Sequence, residues 1–136
     1  MSSFILAGKY VADTMAIVLH LENRKSSANV KQIFDAADAG GQTIIYIPAI
    51  VFAEILYLSE KKRISLTLTD VQKHLQNFSS HRDTLLNFEI IEHAGQLTDI
   101  PELHDRLIAA TAKFLNLELI TNDPKMNNFA FVKTVW

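Results

Sequence analysis

Ile100-Pro101-Glu102-Leu103-His104-Asp105-Arg106-Leu107-Ile108-Ala109-Ala110-Thr111-Ala112-Lys113-Phe114-Leu115-Asn116-Leu117-Glu118-Leu119-Ile120-Thr121-Asn122-Asp123 is the stretch that decides the fold. Apolar residues at helical spacing predict a helix from Leu103 to Leu115. Ala109, Ala110 and Ala112 give that helix a narrow flank that can lie close to a sheet. Glu118-Leu119-Ile120-Thr121 then reads as a strand, stopped by Asn122-Asp123-Pro124. A helix that feeds a strand is half of a repeating α/β pattern, and the rest of the chain can be read for the other half.

Working upstream, Thr43-Ile44-Ile45-Tyr46-Ile47 is β-branched and aromatic, hence a buried strand. Pro48 marks the turn into a helix from about Ala49 to Lys62. Tyr10-Val11-Ala12 is a short strand ending at Asp13-Thr14, which can cap a helix from Met15 to Leu21. Ser26 or Ser27 caps a second helix carrying Val30, Ile33, Phe34 and Ala37, and Gly40-Gly41 stops it. Thr69 or Asp70 opens a helix ending near Phe78, Leu86 to Ile91 reads as a strand, and helix returns between Glu92 and Gln96. Downstream, Phe131 to Val135 reads as the last strand. Strands alternating with helices predict an α/β fold with a mostly parallel central sheet covered on both faces, in one domain spanning 1–136.

The 136 residues suffice for a single core. No cysteine is present, which excludes disulfides, thiolate metal sites and cysteine nucleophiles. The apolar run within Met1–Lys9 is too short for a secretory leader, and no apolar stretch approaches a membrane span, so a cytoplasmic location is expected. A formal charge of −2 argues against holding nucleic acid by bulk positive charge, but not against an enzyme that touches a short stretch of RNA. The basic clusters Arg24-Lys25 and Lys61-Lys62-Arg63 read as solvated helix ends.

In a parallel α/β sheet, chemistry collects beyond the carboxyl ends of the strands. Asp13 and Asp123 each follow a strand, and Asp105 opens the Leu103–Leu115 helix. Glu54 interrupts an apolar run, Ile50 to Leu58. Each acid alone has a local explanation: Asp13 as an N-cap, Asp105 against a helix dipole, Asp123 as a turn residue, Glu54 reaching solvent. Together, several acids at one edge of a sheet repel one another and cost stability. A hard divalent cation with oxygen ligands resolves that cost, and it can activate water beside a phosphodiester.

The same residues resemble the PIN-domain nucleases of the VapC type, toxins of bacterial toxin–antitoxin pairs. The stretch Ile100–Ala112 resembles the family's HDR-like aspartate opening an alanine-rich helix, and Thr121-Asn122-Asp123 its Thr-x-Asp strand end. Val11-Ala12-Asp13-Thr14 resembles the leading aspartate, and Ile47–Ile55 the helix with the single glutamate. The resemblance spans nearly the whole chain. It implies a PIN-like three-layer α/β/α sandwich and endoribonuclease activity with Mg²⁺ (or Mn²⁺). It further implies an RNA substrate, homodimers and a small cognate antitoxin. Asp13, Glu54, Asp105 and Asp123 would form the catalytic metal site, with Thr14 and Thr121 orienting the acids. Two departures stand out. Met15 replaces a small polar residue two places after the leading aspartate, and the loop Pro124-Lys125-Met126-Asn127-Asn128 adds no further acid, though Asn127 or Asn128 offers a carbonyl oxygen.

Other polar residues read as structural. His104 is expected to bond locally at its helix start, and Arg106 to form an ion pair. Asp99 and Glu102 favour that helix start, while Glu22, Asp35, Asp38 and Glu60 read as solvated helix positions. His20, His74, His81 and His93 show no metal-ligand spacing. The stripe Ile50, Phe52, Leu56, Tyr57 could face a dimer partner or an antitoxin helix, and reads mainly as core. Competing functions are a non-catalytic RNA- or protein-binding module on the same fold and a housekeeping RNA-processing nuclease. An aspartyl-nucleophile enzyme of the haloacid-dehalogenase kind needs a second acid where Met15 stands, and a receiver-like domain needs an acid pair after its first strand.

Overall fold

The computed structural model describes residues 8–127 and 131–136. Asn128 and most of the opening run Met1–Lys9 lie outside them. Five strands, β1 (Lys9–Ala12), β2 (Ile44–Pro48), β3 (His81–Thr84), β4 (Glu118–Ile120) and β5 (Thr134–Val135), form one sheet in the order β3-β2-β1-β4-β5. Every pairing is parallel. The helices are α1 (Thr14–Leu21), α2 (Ala28–Asp38), α3 (Ala49–Glu60), α4 (Leu68–Asn77), α5 (Phe88–Gly95), α6 (Leu103–Leu115) and α7 (Pro124–Asn127). The result is a three-layer α/β/α sandwich.

Parallel strands need crossovers, so helices cover both faces and the central strands are apolar on both sides. Val11, Ala12, Ile45, Leu119 and Ile120 have no exposed surface. Each large aliphatic side chain buried this way contributes about 1.5–3 kcal/mol. On α6, Ala109, Ala110 and Ala112 are fully buried, as their size anticipates. Ser27 caps α2 through Val30, and Gly40, at φ +76°, ends it in a left-handed turn that favours glycine. The basic residues Arg24, Lys25, Lys61, Lys62 and Arg63 are exposed just beyond α1 and α3, as expected.

Several expectations are corrected. The Leu86–Ile91 run is not a strand. Its last residues begin α5, because the Asn87 side chain accepts the Ile90 amide at 2.9 Å and buries Ile90 and Ala94 at helical spacing. The cap outweighs the β-propensity of the run, and Asn87→Ala should lower stability by about 1 kcal/mol in urea unfolding. Helix α4 starts earlier than Thr69, since Thr67 and Asp70 form a reciprocal capping box. Strand β3, His81-Arg82-Asp83-Thr84, was not anticipated: it is an edge strand with a polar sequence. The last strand is only Thr134–Val135. The α3 stripe is not mainly core, because Leu56 and Tyr57 are 43% and 51% exposed.

Glu22 is not a solvated helix position. Its Oε2 accepts from the Ser65 amide, the Ser65 hydroxyl and the Leu66 amide, each at 2.8 Å, and its Oε1 from Arg24. Burial alone would raise its carboxyl, but the hydrogen bonds from Ser65, Leu66 and Arg24 outweigh it and hold it down at about 2. A carboxyl depressed in the fold stabilises above its unfolded value near 4.5, and that contribution is lost as pH falls toward 2. Glu22→Gln should therefore cost about 1–2 kcal/mol at pH 7. Parallel urea titrations of both proteins should show that gap closing as pH is lowered through this window.

Asp38 is likewise not a free helix position, because its carboxylate is paired. It closes α2 and meets His20 at 2.7 Å and His81 at 2.6 Å. Burial would raise its carboxyl, but the hydrogen bonds from these two histidines hold it well below the usual range. His74, lowered to about 4 by burial and by His81, completes the group. The sequence spacing of these histidines hid an arrangement that only the fold assembles.

Candidate active site

Strand β1 is flanked by β2 on one side and β4 on the other, so the chain reverses its direction of winding between β1 and β4. Crevices in open parallel sheets form at the carboxyl edge of such a switch. The residues following these two strands meet there. The Asp13 amide donates to the Ile120 carbonyl at 3.1 Å, which levels the two strand ends.

Asp13 is both the N-cap of α1 and a wall of the crevice: its Oδ1 accepts the Ala16 amide at 2.9 Å. Thr121 is fully buried. Its hydroxyl donates to the Asp13 carboxylate and accepts the Asp123 amide at 3.1 Å, so one side chain ties the two acids together. Asp123 is also a turn residue, with Oδ1 accepting the Lys125 amide at 2.9 Å. On α3, Glu54 accepts a hydrogen bond from the Thr14 hydroxyl. Asp105, in the first turn of α6, is 8% exposed.

Asp13, Thr14, Glu54, Asp105 and Asp123 line one cavity of about 480 Å³. Met15, Leu19, Leu58, Ile108 and Trp136 form its apolar walls. The crowding bears on the protonation of the acids. Burial, aided by repulsion from Asp105 and Asp123, pushes Asp13 up to about 6 against the hydrogen bonds from Thr121 and Ala16. Asp105 is also raised, first by burial and then by Asp123 and Glu102, with His104 and Lys125 opposing. Oxygen donors from four acids facing one cavity, with a buried carboxyl held above its ordinary range, fit a hard divalent cation.

The sequence reading missed how His104 is used. It is not confined to its own helix start. Its Nε2 reaches Glu54 at 3.1 Å, Glu102 at 3.4 Å and Asp105 at 3.5 Å, and one donor atom from each of Glu102, His104 and Asp105 lies within 4.8 Å of the others. Lys125 joins them, 2.9 Å from Glu102 and 3.9 Å from Asp105. Arg106 forms no ion pair among the described residues, and its Nε donates to the Ile100 carbonyl at 2.5 Å. Trp136 gave no signal in the sequence, because nothing local connects it to residues over a hundred positions upstream.

A parallel α/β sandwich with an acidic cleft at its switch point defines a class of protein, one whose gathered carboxylates could hold a cation. Within that class, the chain belongs to the PIN domain family, whose model matches residues 10–132. The fold is similar to a chain of the VapBC2 complex of Rickettsia felis bound to a promoter DNA fragment. That likeness has a TM-score of 0.69 at 18% identity and covers 93% of this chain and 97% of that one. DNA-bound VapBC of Salmonella typhimurium gives a TM-score of 0.69 at 16% identity, covering 93% and 96%. A toxin–antitoxin complex from Klebsiella pneumoniae gives 0.64 at 19%, with the same coverage. No curated protein matches the chain in sequence. Among the described residues, no helix is long and apolar enough to cross a membrane.

Proposed function

We propose that this chain is a metal-dependent endoribonuclease, a hydrolase of RNA phosphodiester bonds, and the toxin of a toxin–antitoxin pair. The observation that carries this reading is the convergence of Asp13, Glu54, Asp105 and Asp123 on one cavity at the sheet's switch point. These four acids would hold Mg²⁺ (or Mn²⁺), which when bound supplies Lewis acidity toward a phosphoryl oxygen and a more acidic water. Thr121 orients Asp13 and Thr14 orients Glu54. His104, hydrogen-bonding distance from Glu54, is the group able to move a proton at the edge of the site. Trp136 and Met15 offer surfaces on which a nucleobase can rest, which suits single-stranded RNA.

The partner reading rests on family likeness and on surface. Leu56 and Tyr57 are exposed on the same helix as Glu54, the kind of face a small antitoxin helix or a second copy in a homodimer covers. The chain acts as one domain, 1–136, in the cytoplasm.

One observation favours a second reading. His104 and Lys125 already offset the charge of Glu102 and Asp105, as a non-catalytic RNA- or protein-binding module would need. Incubating the purified, antitoxin-free chain with mixed RNA and DNA pools in Mg²⁺, Mn²⁺ or EDTA separates the two. RNA cutting that requires a divalent ion is expected. A folded protein that cuts no RNA under any of these conditions overturns the nuclease reading in favour of the module.

A further inference from the structure

At the opposite, amino edge of the sheet, four elements end or begin around one point. His20 lies in the last turn of α1, Asp38 is the last residue of α2, His74 lies in the last turn of α4, and His81 is the first residue of β3. One donor atom from each lies within 4.8 Å of all the others. The Nε2 atoms of all three rings turn toward the Asp38 carboxylate, at 2.7 Å for His20, 2.6 Å for His81 and 3.7 Å for His74. From this geometry we propose that His20, Asp38, His74 and His81 form a second metal site, selective for a borderline transition ion of the zinc class and structural in role.

The donor chemistry sets the ion. Three imidazole nitrogens and one carboxylate oxygen suit Zn²⁺, Co²⁺ or Ni²⁺ and not Mg²⁺, which keeps its waters and prefers oxygen ligands. Four protein ligands also complete a tetrahedral shell, the mark of a structural site. The surroundings agree. His81 has a side chain only 1% exposed, and His20 and His74 stack on Phe34 and Phe78 at centroid distances of 4.4 Å. Such a shell packs the rings against apolar neighbours and holds them at fixed angles. Asp38, 25% exposed, leaves a way in.

The hydrogen bonds of the cluster are incomplete in a way an ion would complete. Two histidines occupy the two Asp38 oxygens, and the buried Nε2 of His74 has no hydrogen-bond partner. A buried polar atom without a partner is destabilising, because it has given up its hydrogen bonds to water. Contraction of His74 onto a shared ion satisfies it. The Nδ1 of His81 also lacks a partner and faces away from the shared point, so the ion relieves one of the two. An ion here would join the ends of α1, α2 and α4 to edge strand β3.

The test is a Co²⁺ titration of the metal-free chain in excess Mg²⁺, which saturates oxygen-only sites. One equivalent should bind with the intense visible bands of a four-coordinate ion, Zn²⁺ should displace it, and Zn²⁺ should raise Tm. These signals should persist in Asp105→Asn and vanish in His74→Ala and His20→Ala. His74→Ala removes an atom with no hydrogen bond, so its fold should survive, as circular dichroism will show. The proposal is overturned by weak six-coordinate bands only, or by Co²⁺ binding that survives His74→Ala and His20→Ala but is lost in Asp105→Asn. In either case the cluster is a proton-sharing His–Asp network.

Discussion

Asp105→Asn should lower metal-dependent RNA cleavage by about 10²–10⁴-fold, the range seen when one charged or polar group of a preorganised site is removed. Asparagine keeps the size of the side chain and its place in the first turn of α6, so the change isolates one negative charge. That charge sits 8% exposed, 3.5 Å from His104 and 3.9 Å from Lys125, where no water can substitute for it cheaply. Single-turnover cleavage at saturating Mn²⁺ is the measurement. Because burial and Asp123 raise the Asp105 carboxyl, its loss should leave the metal-free fold as stable as before or more so. A variant that cuts RNA near the wild-type rate would remove Asp105 from the site. One that unfolds would recast it as a structural acid.

The second large effect concerns stability without metal. Burial pushes the Asp13 carboxyl up to about 6 in the fold, against 3.8 when exposed. Between those values the folded chain binds more protons than the unfolded chain, so stability falls as pH rises from about 4 to about 6 and stays lower above. A difference of that size corresponds to roughly 3 kcal/mol at neutral pH. Asparagine cannot ionise, yet it caps a helix as well as aspartate and can keep the Ala16 contact. Asp13→Asn should therefore be about 1–3 kcal/mol more stable than the wild type at pH 7 in EDTA. That advantage should vanish near pH 4. Urea unfolding of both proteins across that range decides it. If the variant proves weaker at pH 7, the carboxylate is stabilised by its hydrogen bonds more than crowding destabilises it. Millimolar Mn²⁺ should reverse the order by raising the wild-type Tm and not that of the variant.

Both expectations rest on acids visible before any coordinates. Asp13, Asp105 and Asp123 stand at the ends or starts of elements whose periods are plain, and Glu54 interrupts an apolar run. A carboxylate in such a place must be capped, paired or used, which is why it can be noticed locally. Asp13 and Asp123 turn out to accept backbone amides at a helix cap and a turn and also to line the crevice, so the local explanation and the shared one were never exclusive.

Other features turned on weaker signals. The Asn87 cap and the Thr67–Asp70 box moved two boundaries, because one side-chain hydrogen bond to the backbone outweighs a few tenths of propensity. Strand β3 has the composition of a turn and is a strand only because β2 offers it a parallel edge.

What the sequence determined by itself is therefore the α/β alternation, most helices and the four acids. Those depend on periods of two and three to four residues and on the cost of burying charge, which act between near neighbours. Only the tertiary structure decided that His104 crosses to Glu54, that Trp136 lines the acidic cavity, and that His20, Asp38, His74 and His81 meet. Those contacts join residues 18 to over 100 positions apart, and strand order alone brings them within reach.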